Sequence, residues 1–211
     1  TTSFWDTGEY ISTATKLQVG HPPGAPLFQL MGNFFSTFAM GDVTEEARMV
    51  NYLSALSSAF TILFLFWTIT MLGRKFLSKY GELDKGRQVI LFGGAVVGAL
   101  AYTWSDSFWF SAVEGEVYAM SSLFTAMAFW AILKWEQEVD RSHYAHRWLV
   151  FIAFLIGLSI GVHILVFLTI PAIVMVYFYK VDPDINRGKF LLYNGIGIVI
   201  LGAIFAVIIP F

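Results

Sequence analysis

Two carboxylates lie three residues apart in the run Phe4-Trp5-Asp6-Thr7-Gly8-Glu9-Tyr10. If a helix begins here, Asp6 and Glu9 share a face. A pair so placed can divide general-base catalysis, one carboxylate taking a proton while the other orients the acceptor. The same spacing suits a helix start, with Asp6 as N-cap and Glu9 closing a capping box that needs no catalysis. Spacing leaves both readings open. His21 stands in Gly20-His21-Pro22-Pro23-Gly24, where two prolines stiffen the chain and an imidazole can meet a phosphate or a sugar hydroxyl. Its structural alternative is a turn histidine bonded to backbone. Lys16 and Arg48 are the only Lys or Arg before residue 50. Either can neutralise a lipid phosphate, Arg48 through a bidentate fork, or simply sit near anionic headgroups. Glu114 and Glu116 flank Gly115 where an apolar stretch begins. On a helix, residues two apart point to nearly opposite sides, so at most one is expected to face a given pocket. Acids there are also favourable at a helix N-terminus without any function. His163 follows Gly161-Val162 and reads either as a polar turn residue or as a further site member.

The elements that must position these residues are apolar. Of 211 residues, 57% are hydrophobic and 13% charged, about half the charged share of an ordinary soluble domain. Mean hydropathy is +0.66, and the 21 Phe, 9 Tyr and 7 Trp suit a lipid-facing protein with aromatic belts. The fold expected is all-α, a polytopic transmembrane helix bundle. A net charge of −2 gives no footprint for nucleic acid. The absence of cysteine excludes disulfides and thiolate metal sites. No Gly-rich nucleotide loop, zinc-ligand spacing or nucleophile elbow occurs. Neither a soluble nucleotide-sugar donor, nor a cofactor, nor a metal site is therefore expected.

Charge-poor apolar stretches cover residues 50–73, 88–104, 117–133, 148–179 and 190–211. About 20 helical residues cross the ~30 Å hydrocarbon core, so the 32 residues of the fourth stretch are too many for one crossing. Splitting it near His163 makes six crossings. Loops 74–87, 134–147 and 180–189 then share one side and hold eleven Lys and Arg, against two on the other. One unbroken helix would spoil that bias. The positive-inside rule makes the basic side cytoplasmic and puts residues 1–49, Glu116 and His163 outside, facing periplasm or lumen. The chain opens on Thr1 and closes inside an apolar run. It is expected to be a piece of a longer protein, preceded by a membrane helix that carries residues 1–49 outward. Within that segment Leu27, Leu30, Met31, Phe34, Phe35 and Phe38 recur at helical spacing, with Gln29, Asn33, Ser36 and Thr37 on the other side. This predicts an amphipathic helix over 25–40 lying in the interface.

Four runs, SFWDTGEYISTATKLQVGHPPGAPLF, NYLSALSSAFTILFLFWTIT, WFSAVEGEVYAMSSLF and GLSIGVHILVFLTIPA, occur in this order over residues 3–175. Together they resemble a bacterial family of large polytopic membrane proteins long labelled as a domain of unknown function. Its animal relative is the protein O-mannosyltransferase that modifies plexins and certain receptor kinases. The resemblance implies a fold of the glycosyltransferase-C class, a lipid-phosphate sugar donor, and an acidic active-site motif in the first outer loop. Asp6 and Glu9 match that motif. His21 matches the family's His-Pro-Pro-Gly, Glu116 its Glu-Val-Tyr and His163 its Gly-x-His. Family members continue into further helices and often a soluble C-terminal region.

The spans carry almost no ionisable side chain, whereas ion-coupled transporters and channels place such groups at midplane depth. Polar residues gather instead at the outer rim, which suits an enzyme acting on a lipid-linked substrate. The reading is an inverting glycosyltransferase of the bacterial inner membrane, its site facing the periplasm. It would move a mannose-like sugar from a polyprenyl-phosphate donor to an acceptor hydroxyl, protein Ser or Thr being one acceptor class. Asp6 and Glu9 are the catalytic candidates; Lys16, His21, Arg48, Glu116 and His163 are the substrate-binding ones. Partners are membrane lipid, the lipid-linked sugar and an acceptor protein, and no nucleic acid. The rivals are a non-catalytic membrane subunit of a secretion or envelope complex, whose acidic loops would be docking surfaces, and a transporter or flippase. Convergence of Asp6, His21, Glu116 and His163 on one outer pocket would favour the enzyme.

Overall fold

The computed structural model describes residues 5–22 and 24–208. Pro23 of the expected stiff turn, and residues 209–211 of the last expected span, lie outside the described residues. All regular structure among the described residues is helical: α1 (Thr7–Lys16), α2 (Pro26–Ser36), α3 (Val43–Leu77), α4 (Lys85–Thr103), α5 (Asp106–Val113), α6 (Val117–Glu138), α7 (Arg147–Ser159), α8 (Ile170–Val181) and α9 (Arg187–Ile208), with 3-10 turns at Thr37–Ala39, Ser78–Tyr80, His143–His146 and Ile164–Thr169.

The helix α3 is the mast of the bundle. Asp42 caps it by accepting from the Thr44 N–H at 2.9 Å, Glu45 and Glu46 occupy its first turn, and Arg74 and Lys75 its last. Acids at the start and bases at the end both suit the helix dipole. Its 35 residues rise about 52 Å, more than a hydrocarbon core, so its first turns stand clear of the apolar zone. Ser54, Ser57, Ser58 and Thr61 of α3 are buried, as are Ala119, Ser121, Ala128 and Ala131 of α6. Small side chains let two helix backbones close up where no hydrophobic force drives association in lipid.

Contacts at helix ends establish the two sides. Lys75 pairs with Glu136 at 2.6 Å, joining the far ends of α3 and α6. Lys180 pairs with Asp140, and Tyr177 stacks on Trp135 with ring centroids 5.1 Å apart, so α8 ends where α7 begins. The chain therefore reverses between Ser159 and Ile164, and the expected hairpin at His163 is present. At the opposite end, the N–H groups of Leu27 and Phe28 donate to the Gly161 carbonyl at 2.7 and 3.2 Å. A Cβ on Gly161 would stand 2.8 Å from the Leu27 Cβ, so glycine is required for this approach. Residues 5–22 and 24–36, Glu116 and His163 thus share one end of the bundle.

Four described helical segments are long and apolar enough to cross a membrane: Val43–Tyr80, Val117–Glu138, Ile164–Val181 and Arg187–Val207. A fifth is reached if α4 and α5, bent by 69°, count as one span. The six crossings expected from composition are not reached, because the 13 residues of α7 rise only about 20 Å. The short α5 was not expected at all, since its Ser-Phe-Trp-Phe run reads as aromatic belt rather than as a helix.

The outer helix forms over Pro26–Ser36 with its 3-10 extension, as its periodicity predicts. It packs on protein through residues of both kinds: Gln29 is buried and donates from Nε2 to Thr13 Oγ1 at 2.6 Å, Phe28 is fully buried, and Leu27, Met31 and Phe35 are half-buried against the apolar core. Leu30, Phe34 and Phe38, the rest of the apolar stripe, are exposed and free to meet lipid.

The alternation of ends predicts a labelling pattern. In membranes holding the full-length protein, Tyr80→Cys and Asp184→Cys should react with an impermeant thiol reagent from one face and Gln18→Cys from the other. Labelling of all three from one face would remove the alternation.

Candidate active site

The first helix is only ten residues long, too short to be stable alone, and its start is held from outside. Asp6 precedes it at φ −87°, ψ 0° and makes no side-chain cap hydrogen bond; the capping box allowed by the spacing does not form. The Thr7 Oγ1 instead donates to Glu116 Oε1 at 2.9 Å. Glu116, itself the N-cap residue of α6, thus places an anion at the N-terminus of α1, where the helix dipole favours it. Burial raises the Glu116 pKa, opposed by the Thr7 hydrogen bond and reinforced by the charges of Glu114 and Asp6.

The second carboxylate is committed to His21. Glu9 Oε1 accepts the His21 backbone N–H at 2.7 Å, and Oε2 lies 3.0 Å from the ring Nδ1. The backbone N–H, then the ring, hold the Glu9 carboxyl below its usual range. With Nδ1–H directed at Glu9, the other ring nitrogen, Nε2, faces Asp6 Oδ2 at 3.8 Å. Asp6 is exposed and is the carboxylate left open to an incoming group. Tyr10 completes the cluster: its ring lies 5.8 Å from His21 and packs edge-on to Phe28 at 5.5 Å. Burial, then the carboxylates of Asp6 and Glu116 among others, push its hydroxyl up to about 12, so it remains a donor. Sequence reasoning passed over Tyr10, although it adjoins Glu9 in the acidic run.

Ligand atoms of Asp6, Glu9 and His21 all lie within 4.8 Å of one another, a spacing able to hold a cation where no metal site was expected. Both Glu9 oxygens are already engaged by His21. The open ligands are then Asp6 and His21 Nε2, fewer than the three protein ligands of a typical catalytic zinc site.

Glu114 and Glu116 were expected to diverge. They instead line one cavity of about 350 Å³ together with Trp5, Phe110, Ser111 and Tyr118. The helical spacing rule does not apply because both residues are extended (φ −114° and −127°), with the Glu116 N–H donating to the Glu114 carbonyl at 2.9 Å. Tyr118 also borders a neighbouring cavity of about 410 Å³ whose wall carries the hydroxyls of Thr61, Tyr102, Ser121 and Thr125. His163 sits one ring away, 5.3 Å from Tyr118. Its Nδ1 accepts the Leu165 N–H at 3.2 Å, and burial lowers its pKa, so it is a neutral imidazole with Nε2–H as donor.

The structure therefore brings Asp6, Glu9, His21 and Glu116 together, with His163 adjacent through Tyr118. It does not bring in the two cations. Lys16 is exposed in the last turn of α1, about 15 Å of helix from Asp6. Arg48 pairs with Glu45 on its own helix.

Two outcomes follow from these bonds. Glu116→Ala should lower stability by about 1–3 kcal/mol in thermal unfolding, since it removes the acceptor of the Thr7 hydroxyl, whereas Glu116→Gln keeps an acceptor and should be near neutral. The Glu9–His21 clasp should respond to acid with the opposite sign from Glu116. A depressed folded pKa contributes stability above the ordinary glutamate range and loses it as pH falls through the folded value. The protection factor of the His21 amide, which Glu9 holds, should therefore fall on acidification below that range in wild type, and be low at neutral pH in Glu9→Ala.

Comparison with known proteins bears on the whole arrangement. The family model described as the protein O-mannosyl-transferase TMEM260 N-terminal domain matches residues 6–186. The chain is 26% identical over 122 residues to the protein O-mannosyl-transferase tmem260 of Dictyostelium discoideum, covering 58% of this chain and 13% of that protein. It is 29% identical over 133 residues to the Mus musculus protein O-mannosyl-transferase TMEM260, covering 63% of this chain and 16% of that one. The chain thus spans under a fifth of the length of these curated relatives, and no solved structure matches it. The match begins at Asp6 and runs through the acidic motif, the His21 turn, Glu116 and the His163 hairpin, and on it the chain belongs to the family of the protein O-mannosyl-transferase TMEM260 N-terminal domain.

Proposed function

We propose that this chain is the N-terminal membrane part of a glycosyltransferase of the glycosyltransferase-C type. It moves a sugar from a polyprenyl-phosphate donor to an acceptor hydroxyl at the bundle end that carries Asp6. The observation that carries this reading is the open carboxylate of Asp6 beside the Glu9–His21 clasp and the Glu116 cavity. The relatives' printed name, protein O-mannosyl-transferase, supports a mannose-like sugar and a protein Ser or Thr hydroxyl as acceptor.

Asp6 takes the proton of the acceptor hydroxyl. The acceptor oxygen attacks the anomeric carbon as the carbon–oxygen bond to the lipid phosphate breaks, and the phosphate leaves with the bonding pair, which inverts the anomeric centre. Glu9 acts through His21, fixing its ring so that Nε2 stays toward Asp6 and the reacting groups. With Lys16 and Arg48 away from the cluster, the leaving phosphate is met by His21, a hydrogen-bond donor once protonated. Glu116 orients the sugar. The hydroxyl-bearing cavity beyond Tyr118 lies within reach of the first isoprenoid units. The basic loops then lie in the cytoplasm and this site on the outer or luminal side.

Asp6→Asn in the full-length protein should cut sugar transfer from a defined lipid-phosphate donor by about a hundredfold or more, at unchanged expression and thermal stability. Near-normal turnover would return Asp6 to a structural role, and Glu9→Gln would then be tested in the same assay.

A further inference from the structure

The first turn of α2 has no cap of its own. Pro26 brings no N–H, and the Gln29 N–H already donates to the Ala25 carbonyl at 3.0 Å. Leu27 and Phe28 are then the donors of that turn without an intrahelical partner. A Ser, Thr, Asp or Asn at the N-cap position normally meets such donors. Ala25 stands there instead, with no side-chain oxygen and a left-handed backbone at φ 39° and ψ 54°, uncommon for a residue that carries a Cβ. Ala25 is buried, and its surroundings hold that conformation. Both donors go to one acceptor, the Gly161 carbonyl. Gly161 is fixed in its turn: its N–H donates to the Leu158 carbonyl at 3.0 Å, and those of Val162 and His163 donate to the Ser159 carbonyl at 2.9 and 2.8 Å. The α2 N-terminus thus takes its cap from the hairpin between α7 and α8.

The capped turn leads to the histidine of the acidic cluster by two routes. Phe28 is fully buried, and its ring packs edge-on to Tyr10, which lies against the His21 ring. Gln29 donates to Thr13 Oγ1, and Thr13 Oγ1 donates to the Glu9 carbonyl at 2.7 Å. Glu9 in turn holds His21 with both carboxylate oxygens. A Cβ on Gly20, the residue before His21, would stand 3.2 Å from Glu9 Oε1 and 3.6 Å from Gln29 Nε2, so the His21 turn lies directly on this network. Close packing transmits a displacement rather than absorbing it, and packed rings and hydrogen bonds run without a break from Gly161 to His21.

We infer that Gly161 is a positioning residue for His21, acting through the first turn of α2 with Phe28 and Gln29 as its two arms. The inference rests on the sugar-transfer reading for the part the imidazole plays in a reaction, and adds the residue that sets where the imidazole stands. A Cβ at Gly161 would meet the Leu27 Cβ at 2.8 Å and the Leu27 backbone nitrogen at 3.2 Å. The start of α2 must then move, and the His21 ring moves with it.

The ring reports this without any sugar donor. In the full-length protein in nanodiscs, with histidine labelled at its ring nitrogens for NMR, Gly161→Ala should shift the His21 resonances, assigned by their loss in His21→Gln. Those of His143 and His146, in the turn between α6 and α7, should stay in place. Phe28→Leu keeps an apolar side chain in the core and leaves the Gly161 carbonyl its donors. It should shift the His21 ring as well, and it carries the test if Gly161→Ala does not fold. In the transfer assay, Gly161→Ala should lower turnover by about ten- to a hundredfold. It should change the residual turnover of His21→Gln by less than about twofold, because the ring it acts through is gone. A merely structural role would cost the same factor in both backgrounds. The inference is overturned if the His21 resonances stay in place in both variants, if all the histidine rings shift together, or if Gly161→Ala costs the same factor with and without His21. The two readings fail separately. A displaced His21 ring in a protein that transfers no sugar keeps the positioning role and removes the transferase. Transfer that falls equally in both backgrounds keeps the transferase and removes the positioning role.

Discussion

A single carboxylate decides where the acidic motif stands. Glu116 begins α6, yet its side chain reaches the N-terminus of α1, accepting from the Thr7 hydroxyl. The first turn of any helix leaves backbone donors without partners, and α1 carries no cap of its own. Its far end is held in the same way: Asn33 of α2 donates from Nδ2 to the carbonyls of Ala14 and Thr15 at 3.0 and 3.1 Å. A ten-residue helix thus gains from its neighbours at both ends the stability that its length denies it. The distance of Asp6 from the aromatic cavity and from His21 follows from that support.

The bundle can present polar groups in this way because it keeps them out of its length. The buried polar residues of α3 and α6 are mostly hydroxyls, Ser54, Ser57, Ser58, Thr61 and Ser121; Thr61 bonds the Ser57 carbonyl one turn back at 2.8 Å and Ser54 reaches the Glu116 carbonyl at 3.5 Å, uncharged groups whose burial helices in lipid tolerate. Carboxylates are confined to the ends. On the basic side they are spent in ion pairs such as Lys75 with Glu136 and Lys180 with Asp140, which tie helix ends together. On the other side Asp6 and Glu9 have the His21 ring between them, and among the described residues Glu114 and Glu116 form no ion pair. That end is therefore not clamped by ion pairs in the way the basic side is.

The two faces of α2 show the same constraint. An amphipathic helix in water buries its apolar stripe. Here Gln29 and Asn33 face α1, Phe28 is buried in the core with Leu27, Met31 and Phe35 packed against it, and Leu30, Phe34 and Phe38 face outward. The apolar stripe is thus divided between protein and surroundings, because polar side chains were needed to satisfy α1 and lipid is an adequate partner for the remaining apolar ones.

Properties that depend on composition and local spacing were legible in the sequence. Apolar runs, the helix at 26–36 and the reversal at His163 could be read because burying charge in hydrocarbon is costly wherever it occurs, and the alternation of cationic loops records that cost. The acidic run, His21, Glu116 and His163 could be picked out as residue types that have no business in an apolar chain without a role. Spacing could not say which partner each carboxylate takes. Asp6 and Glu9 at helical spacing suggested a capping box, but Glu9 turns to His21 twelve residues away and the Thr7 hydroxyl finds Glu116, 109 residues on. Glu114 and Glu116 share a cavity because the backbone between them is extended rather than helical, and that cavity is closed by α5, whose short aromatic run carries no helical signature. Lys16 and Arg48 belong to the same outer segment as the motif but face elsewhere. Only tertiary structure decided these matters, because a hydrogen bond or ion pair forms with whatever group the fold brings within about 3 Å, and that group is set by helix packing rather than by neighbours along the chain.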